Sequence, residues 1–195
     1  MLKVGITGNI AAGKSTVEEF LKEKGYKVLD ADDLAHDLLR EKSVKAKIIE
    51  AFKGYDVLEN GELSRPKLGN IIFTSQKDRQ LLESILHPLI KDEIRQFFSA
   101  SEKREEIVFV SVPMLFEAKF EDVFDKIVLV YADDEIRIQR LIDRNDLNEE
   151  MAQNRLDIQM SQDKKKPLSA YILFNNESLD DLTIQVDDLV EKLTN

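Results

Sequence analysis

Eight residues constrain this chain more than any others: Gly8-Asn9-Ile10-Ala11-Ala12-Gly13-Lys14-Ser15, a glycine, four residues, then Gly-Lys-Ser. At average residue usage the pattern arises by chance in roughly one chain in a hundred of this length. Its setting adds weight. The alternation of Leu2, Val4 and Ile6 ends in the turn signal Thr7-Gly8 and predicts a strand over 2–6. From Lys14 the apolar residues take helical spacing, with Val17, Phe20 and Leu21 on one side and Gly25 as C-terminal cap. Tyr26 to Leu29 is then a second strand, ending at Asp30. Strand, glycine loop, helix and strand in succession make a βαβ unit, and so a parallel sheet.

A loop so placed is suited to the phosphates of a nucleoside triphosphate. Glycines let successive backbone N–H groups turn inward with no Cβ in the way, and the helix N-terminus adds its positive end. Lys14 has the reach for the β- and γ-phosphates, and the Ser15 hydroxyl suits Mg²⁺. Thr16 is placed to add a hydroxyl near the α-phosphate. The plain alternative is a glycine turn that opens a helix and binds nothing.

Beyond Asp33 the pattern changes. Apolar residues recur at three and four through Leu34, Leu38, Ile48, Phe52, Leu82, Ile85, Leu89, Ile94 and Phe98, broken between Gly54 and Pro66, where Asn60-Gly61 marks a turn. This predicts a helical insertion of about 70 residues, too long for a simple crossover. Near-continuous apolar runs at 107–112 and 127–131 read as buried parallel strands. A helix over 134–144, a polar segment at 146–167, a short strand at 171–174 stopped by Asn175-Asn176, and a helix over 179–193 complete the chain. The run Lys164-Lys165-Lys166 reads as solvated, with a phosphate contact as the alternative.

Composition narrows the class. A formal net charge of −10 disfavours nucleic acid and anionic membranes as partners, while a few local cations still suffice for a phosphate-bearing small molecule. No apolar run approaches a membrane span. The first residues enter a strand-like segment without a secretory signal, and the absence of cysteine is compatible with the cytoplasm. A GTPase base-recognition motif of the Asn-Lys-x-Asp type and an Asp-x-x-Gly switch are both missing, which favours a small-molecule kinase.

Several segments then carry a specific resemblance. Gly5 to Thr16, Asp30-Ala31-Asp32, His87-Pro88, Val112-Pro113-Met114-Leu115-Phe116-Glu117, Arg140 to Asn145, Arg155 with Gln159, and Ile172 to Asn176 together resemble the dephospho-CoA kinase family, in its order and spacing. The chain departs from the family's usual pattern at Asn9, at Ala11-Ala12, at His36 and at Asn145, none of which is Lys14, Ser15 or Asp32.

The resemblance implies transfer of the γ-phosphoryl of ATP to the ribose 3′-hydroxyl of dephospho-CoA, with Mg²⁺. It implies a three-layer α/β P-loop fold with a five-stranded parallel sheet. The core is expected at 1–33, 103–137 and 170–195, a helical insertion for the CoA substrate at 34–102, and a lid at 138–169. By resemblance Asp32 is the base, with Lys14 and Arg140 as its catalytic companions, and Asp30 helps with Mg²⁺ or water. The alternative is that Asp30, Asp32 and Asp33 cap the next helix. ATP and phosphate contacts are expected from Asn9, Ala11, Ala12, Gly13, Lys14, Ser15, Thr16, Arg140, Arg144 and Asn175, and the metal from Ser15. Substrate contacts are expected from Thr7, Asp32, His87, Pro113, Leu115, Phe116 and Glu117. Arg137, Arg140 and Arg144 share a helix face, with surface ion pairing to Glu135 and Asp143 as the alternative. His87 instead anchors a turn, and Glu117 instead faces solvent, on the bland reading. A monomer in the cytoplasm, without nucleic acid or membrane, is the expected setting. Two competing functions stay open: a kinase for another nucleotide or metabolite, and a P-loop ATPase switch with no small acceptor.

Overall fold

The structure, a computed structural model, describes residues 1–194. In chain order, β1 (Leu2–Gly8) leads through the glycine loop into α1 (Lys14–Glu23), and β2 (Lys27–Asp30) follows. Next come α2 (Ala31–Leu38), α3 (Lys42–Ala51), the short strands β3 (Leu58–Glu59) and β4 (Glu62–Leu63), α4 (Arg65–Thr74) and α5 (Gln76–Ser101). The chain closes with β5 (Ile107–Ser111), β6 (Lys126–Tyr131), α6 (Asp134–Asn145), α7 (Glu149–Asp157), α8 (Gln162–Lys165), β7 (Tyr171–Phe174) and α9 (Leu179–Thr194). Two compact units result, one of residues 1–30 and 97–194 and the other of Ala31–Gln96.

The first unit is built on a five-stranded sheet in the order β2-β5-β1-β6-β7, parallel at every pairing and flanked by helices. β5 and β6 are wholly or nearly wholly buried, which explains their unbroken apolar runs. Val4, Ile6, Phe109, Val128, Val130 and Leu173 from the strands pack with Val17 and Leu21 of α1 and Leu182, Val186 and Leu189 of α9. The register sets Ile6 and Asp30 on either side of Ser111, so the carboxyl ends of β1, β2 and β5 lie together. Ligands collect at that edge of open α/β sheets.

The second unit is helical around one hairpin. Asn60 and Gly61 both take positive φ, 51° and 83°, as a two-residue hairpin turn requires. Val44 and Ile48 of α3 are buried one turn apart, as are Leu82, Leu86 and Ile90 of α5. The Tyr55 hydroxyl donates to the Asp78 carboxylate at 2.9 Å. Pro88 does not end its helix: α5 runs straight through it, so the His87-Pro88 pair anchors no turn. Within this unit an apolar groove of about 580 Å³ is lined by Ala46, Lys47, Glu50 and Ala51 of α3 and Leu81 and Ile85 of α5.

Candidate active site

The glycine loop is a strained turn fixed from outside. Ala11 and Gly13 take positive φ, 62° and 96°. An L-residue in that region costs roughly 1–2 kcal/mol, so Ala11 needs support from its surroundings. Gly13 is obligatory, because a Cβ there would lie 2.0 Å from the Asn175 amide nitrogen. That amide donates to the Ala12 carbonyl at 2.9 Å, and the Asn175 backbone is tied to Tyr131 in β6. Gly13 is the N-cap of α1, so the helix opens with Lys14 and an exposed Ser15, and its positive end faces the loop.

The segment after β6 grips the same loop. Arg137 donates to the Ile10 carbonyl at 3.0 Å and to Asp134 at 2.8 Å. Arg140 donates to the Ala11 carbonyl at 3.3 Å and to the Asn175 carbonyl at 3.0 Å. Further along the chain, Gln159 accepts from Ile10 N–H at 2.7 Å through its side chain, and the Met160 carbonyl accepts from the Asn9 amide at 2.8 Å. Ile10 and Ala11 pack against Leu141 of α6 and Ala152 and Leu156 of α7. Arg137 is only 2% exposed. Burial pulls its guanidinium below the usual arginine range, with Asp134 opposing. Arg144 is exposed and donates to neighbouring Asn145.

Two further polar clusters sit at the strand ends. Lys14 ion-pairs with Glu18 at 2.9 Å and donates to the Ser111 hydroxyl, which itself donates to Glu18 at 2.5 Å. The other cluster involves Pro113, whose carbonyl accepts from the Thr7 hydroxyl at 3.1 Å and from Lys165 at 3.4 Å. Lys165 ion-pairs with Glu117 at 2.9 Å, and Glu117 also accepts from Met160 N–H at 3.0 Å. The lysine run is therefore solvated only in part. Lys164 is exposed, but Lys165 is 0% exposed, and its stem and charge fill the interior. Burial pushes its ammonium below the usual lysine range, and the Glu117 carboxylate opposes that. Glu117 thus turns to an internal cation rather than to open solvent.

The structure brings Thr7, Asn9, Ala11, Ala12, Gly13, Lys14, Ser15, Thr16, Pro113, Glu117, Arg140 and Asn175 into the first unit, around the strand ends. Leu115 and Phe116 belong there too, but are interior side chains at 0% and 4% exposure. Leu115 packs against Gly5, so any substrate contact at these two positions falls to their backbone. Asp32 and His87 belong to the second unit. Asp32 is exposed in the first turn of α2, one residue beyond the helix start. His87 is half-buried in α5; desolvation lowers its pKa from the ordinary 6.5, with Lys91 adding and Glu83 opposing. The sequence singles out neither Glu18 nor Ser111, and it presents Lys165 only as one of a run of lysines. Glu18 had a local signal, its i,i+4 spacing from Lys14; the others depend on pairings distant in sequence.

Comparison with known proteins identifies the family and the fold. A family model described as dephospho-CoA kinase matches residues 2–181. The dephospho-CoA kinase of Streptococcus thermophilus is 38% identical over 193 residues, covering 98% of this chain and 98% of that protein. A crystal structure of a Thermus thermophilus protein, 31% identical, superposes with a TM-score of 0.84 over 100% of this chain and 98% of the other. The dephospho-CoA kinase from Campylobacter jejuni, 26% identical, superposes with a TM-score of 0.75 over 98% of this chain and 96% of that one.

Proposed function

The chain belongs to the dephospho-CoA kinase family, which makes it an ATP-dependent phosphotransferase acting on dephospho-CoA, and we propose how its residues divide that reaction. The observation that carries the reading is the externally clasped phosphate loop at the carboxyl ends of β1, β2 and β5, with Lys14 and Ser15 opening α1. Loop N–H groups from Ala11 to Thr16 cradle the phosphates of ATP, and Lys14 meets the β- and γ-phosphates. Arg140, fixed on Ala11 and Asn175, offers its charge to the transferring phosphoryl, and Arg144 extends from the same helix. Asn175 holds the loop and borders the nucleotide.

Among the described residues no group of three or more His, Cys, Asp or Glu forms a ready metal site. Mg²⁺ fits such a site all the same, since it keeps waters and phosphate oxygens and takes only one or two protein oxygens. The exposed Ser15 hydroxyl would hold it, with Asp30 assisting. When bound, Mg²⁺ neutralises charge on the phosphate oxygens.

On the acceptor side, Asp32 takes the proton of the ribose 3′-hydroxyl as general base. The α2–α5 unit, as the CoA-substrate insertion, receives the pantetheine end; its apolar groove between α3 and α5 supports this. His87, Thr7, Pro113 and Glu117 complete the substrate contacts. Residues 138–169 act as the lid, whose closure excludes water, a competing acceptor. No described helix is long and apolar enough to cross a membrane. In this reading the enzyme works as a cytoplasmic monomer without nucleic acid.

The test is ADP formation from Mg-ATP with dephospho-CoA, nucleoside monophosphates, adenosine or shikimate as acceptor. Stimulation by dephospho-CoA alone is expected. Stimulation by another acceptor instead would reassign the substrate, and no stimulation by any would favour an ATPase switch.

A further inference from the structure

Glu18 and Ser111 break the apolar pattern of their elements at the point where they meet. Glu18 lies in α1 beside buried Val17 and one turn from buried Leu21, and is itself 5% exposed. Ser111 ends the strand Ile-Val-Phe-Val-Ser and is 0% exposed. A buried carboxylate is expensive to desolvate, and replacing a buried ion pair by apolar groups of similar volume is often neutral or stabilising. Packing alone would therefore favour an aliphatic residue at position 18. The two polar residues spend their hydrogen bonds on each other and on one further group, the Lys14 ammonium.

We propose that Glu18 and Ser111 are positioning residues for Lys14. An ammonium has three N–H donors and no acceptor. Glu18 and Ser111 take two of them, which leaves one for a phosphate oxygen. The Ser111 hydroxyl closes the triangle by donating to the carboxylate that shares the lysine. Lys14 is on a long flexible stem, and a side chain held by two fixed acceptors loses little further freedom when phosphate arrives. The carboxylate also offsets the lysine's charge, so the device trades some attraction for ATP against a fixed direction of the ammonium.

The inference rests on Lys14 being the phosphate-binding lysine, so the experiment carries Lys14→Ala beside Glu18→Leu, Glu18→Gln and Ser111→Ala. Steady-state kinetics with ATP and dephospho-CoA are measured together with melting temperature. Glu18→Leu lowers the melting temperature, because it leaves the Lys14 ammonium and the buried Ser111 hydroxyl without their acceptor, and well below that temperature it lowers kcat by about tenfold or more, the scale of a misplaced catalytic group. Glu18→Gln keeps the acceptor oxygen and restores kcat to within about threefold, since an amide oxygen accepts as the carboxylate did. It also lowers KM for ATP, because a negative charge beside the phosphates is gone. Ser111→Ala falls between them. Wild-type kcat in Glu18→Leu, or equal impairment in the Leu and Gln variants, would overturn the proposal; should the Leu variant not fold, wild-type kcat in Ser111→Ala would do the same. An active Lys14→Ala would instead remove the reading on which it rests.

Discussion

The phosphate loop and the α2–α5 unit are stabilised by opposite means. Around the loop, polar contacts join residues far apart in sequence and are part-buried or buried: Asn9 with Met160, Ile10 with Gln159 and Arg137, Ala12 with Asn175. In the α2–α5 unit the ion pairs lie at the surface: Arg40 with Asp37 and Lys53 with Glu50 are 70–75% exposed on both sides, and the longer-range pairs of Lys45 with Glu62 and Lys67 with Asp56 each keep an exposed carboxylate. Exposed pairs of this kind contribute little and are screened by salt. The difference teaches where geometry is fixed in advance. Charge stabilisation of a phosphoryl group needs donors that do not reorganise during transfer, whereas the α2–α5 surface, in its proposed role of receiving a long flexible substrate, tolerates adjustment.

Substitutions in the two regions should differ in kind and in size. Lys14→Ala should have the largest effect, lowering kcat on the order of a thousandfold, as loss of a preorganised charge donor does; circular dichroism should show the fold intact. Lys165→Met should act on stability, leaving the mostly buried Glu117 without its cation at a cost of about 3–5 kcal/mol in urea unfolding. Adding Glu117→Gln should recover part of that loss. Asp32→Asn tests whether the α2–α5 unit contributes chemistry as well as surface; kcat should fall about 100-fold, the range for a general base. A change below about threefold would leave Asp32 as no more than a residue of the first turn of α2. At the low end, Lys53→Ala should change stability by less than about 0.5 kcal/mol. A larger loss would contradict the claim that this unit's ion pairs are dispensable.

How much could be read from the sequence follows the same division. The strand-loop-helix start, the Asn60-Gly61 hairpin and the buried strands at 107–111 and 126–131 all have local signatures, and the structure has them there. Gly25 takes the positive φ expected of a residue closing α1. His87-Pro88 misleads locally, because a proline on the exposed side of a long helix is carried by its neighbours. Lys165 misleads more strongly. Three successive lysines read as a solvated run, and only the return of the chain past β5 supplies the Glu117 carboxylate and the Pro113 carbonyl that make one of them an interior residue. Leu115 and Phe116 follow the same logic in reverse: the resemblance names them among substrate contacts, and the structure adds that their apolar side chains lie in the core. The family resemblance reached the loop lysine and serine but not the pair that holds the lysine, since Ser111 meets Glu18 only through the pairing of β5 beside β1.

Transfer of a phosphoryl group from a clasped loop to a specific acceptor is the step on which the proposed division of roles depends. Its most direct test uses ATP labelled with ¹⁸O in the γ-phosphoryl, dephospho-CoA and Mg²⁺, with products resolved by mass spectrometry. The account predicts one coenzyme A, labelled in its 3′-phosphate, for each ADP formed. Labelled inorganic phosphate with unchanged dephospho-CoA would contradict it.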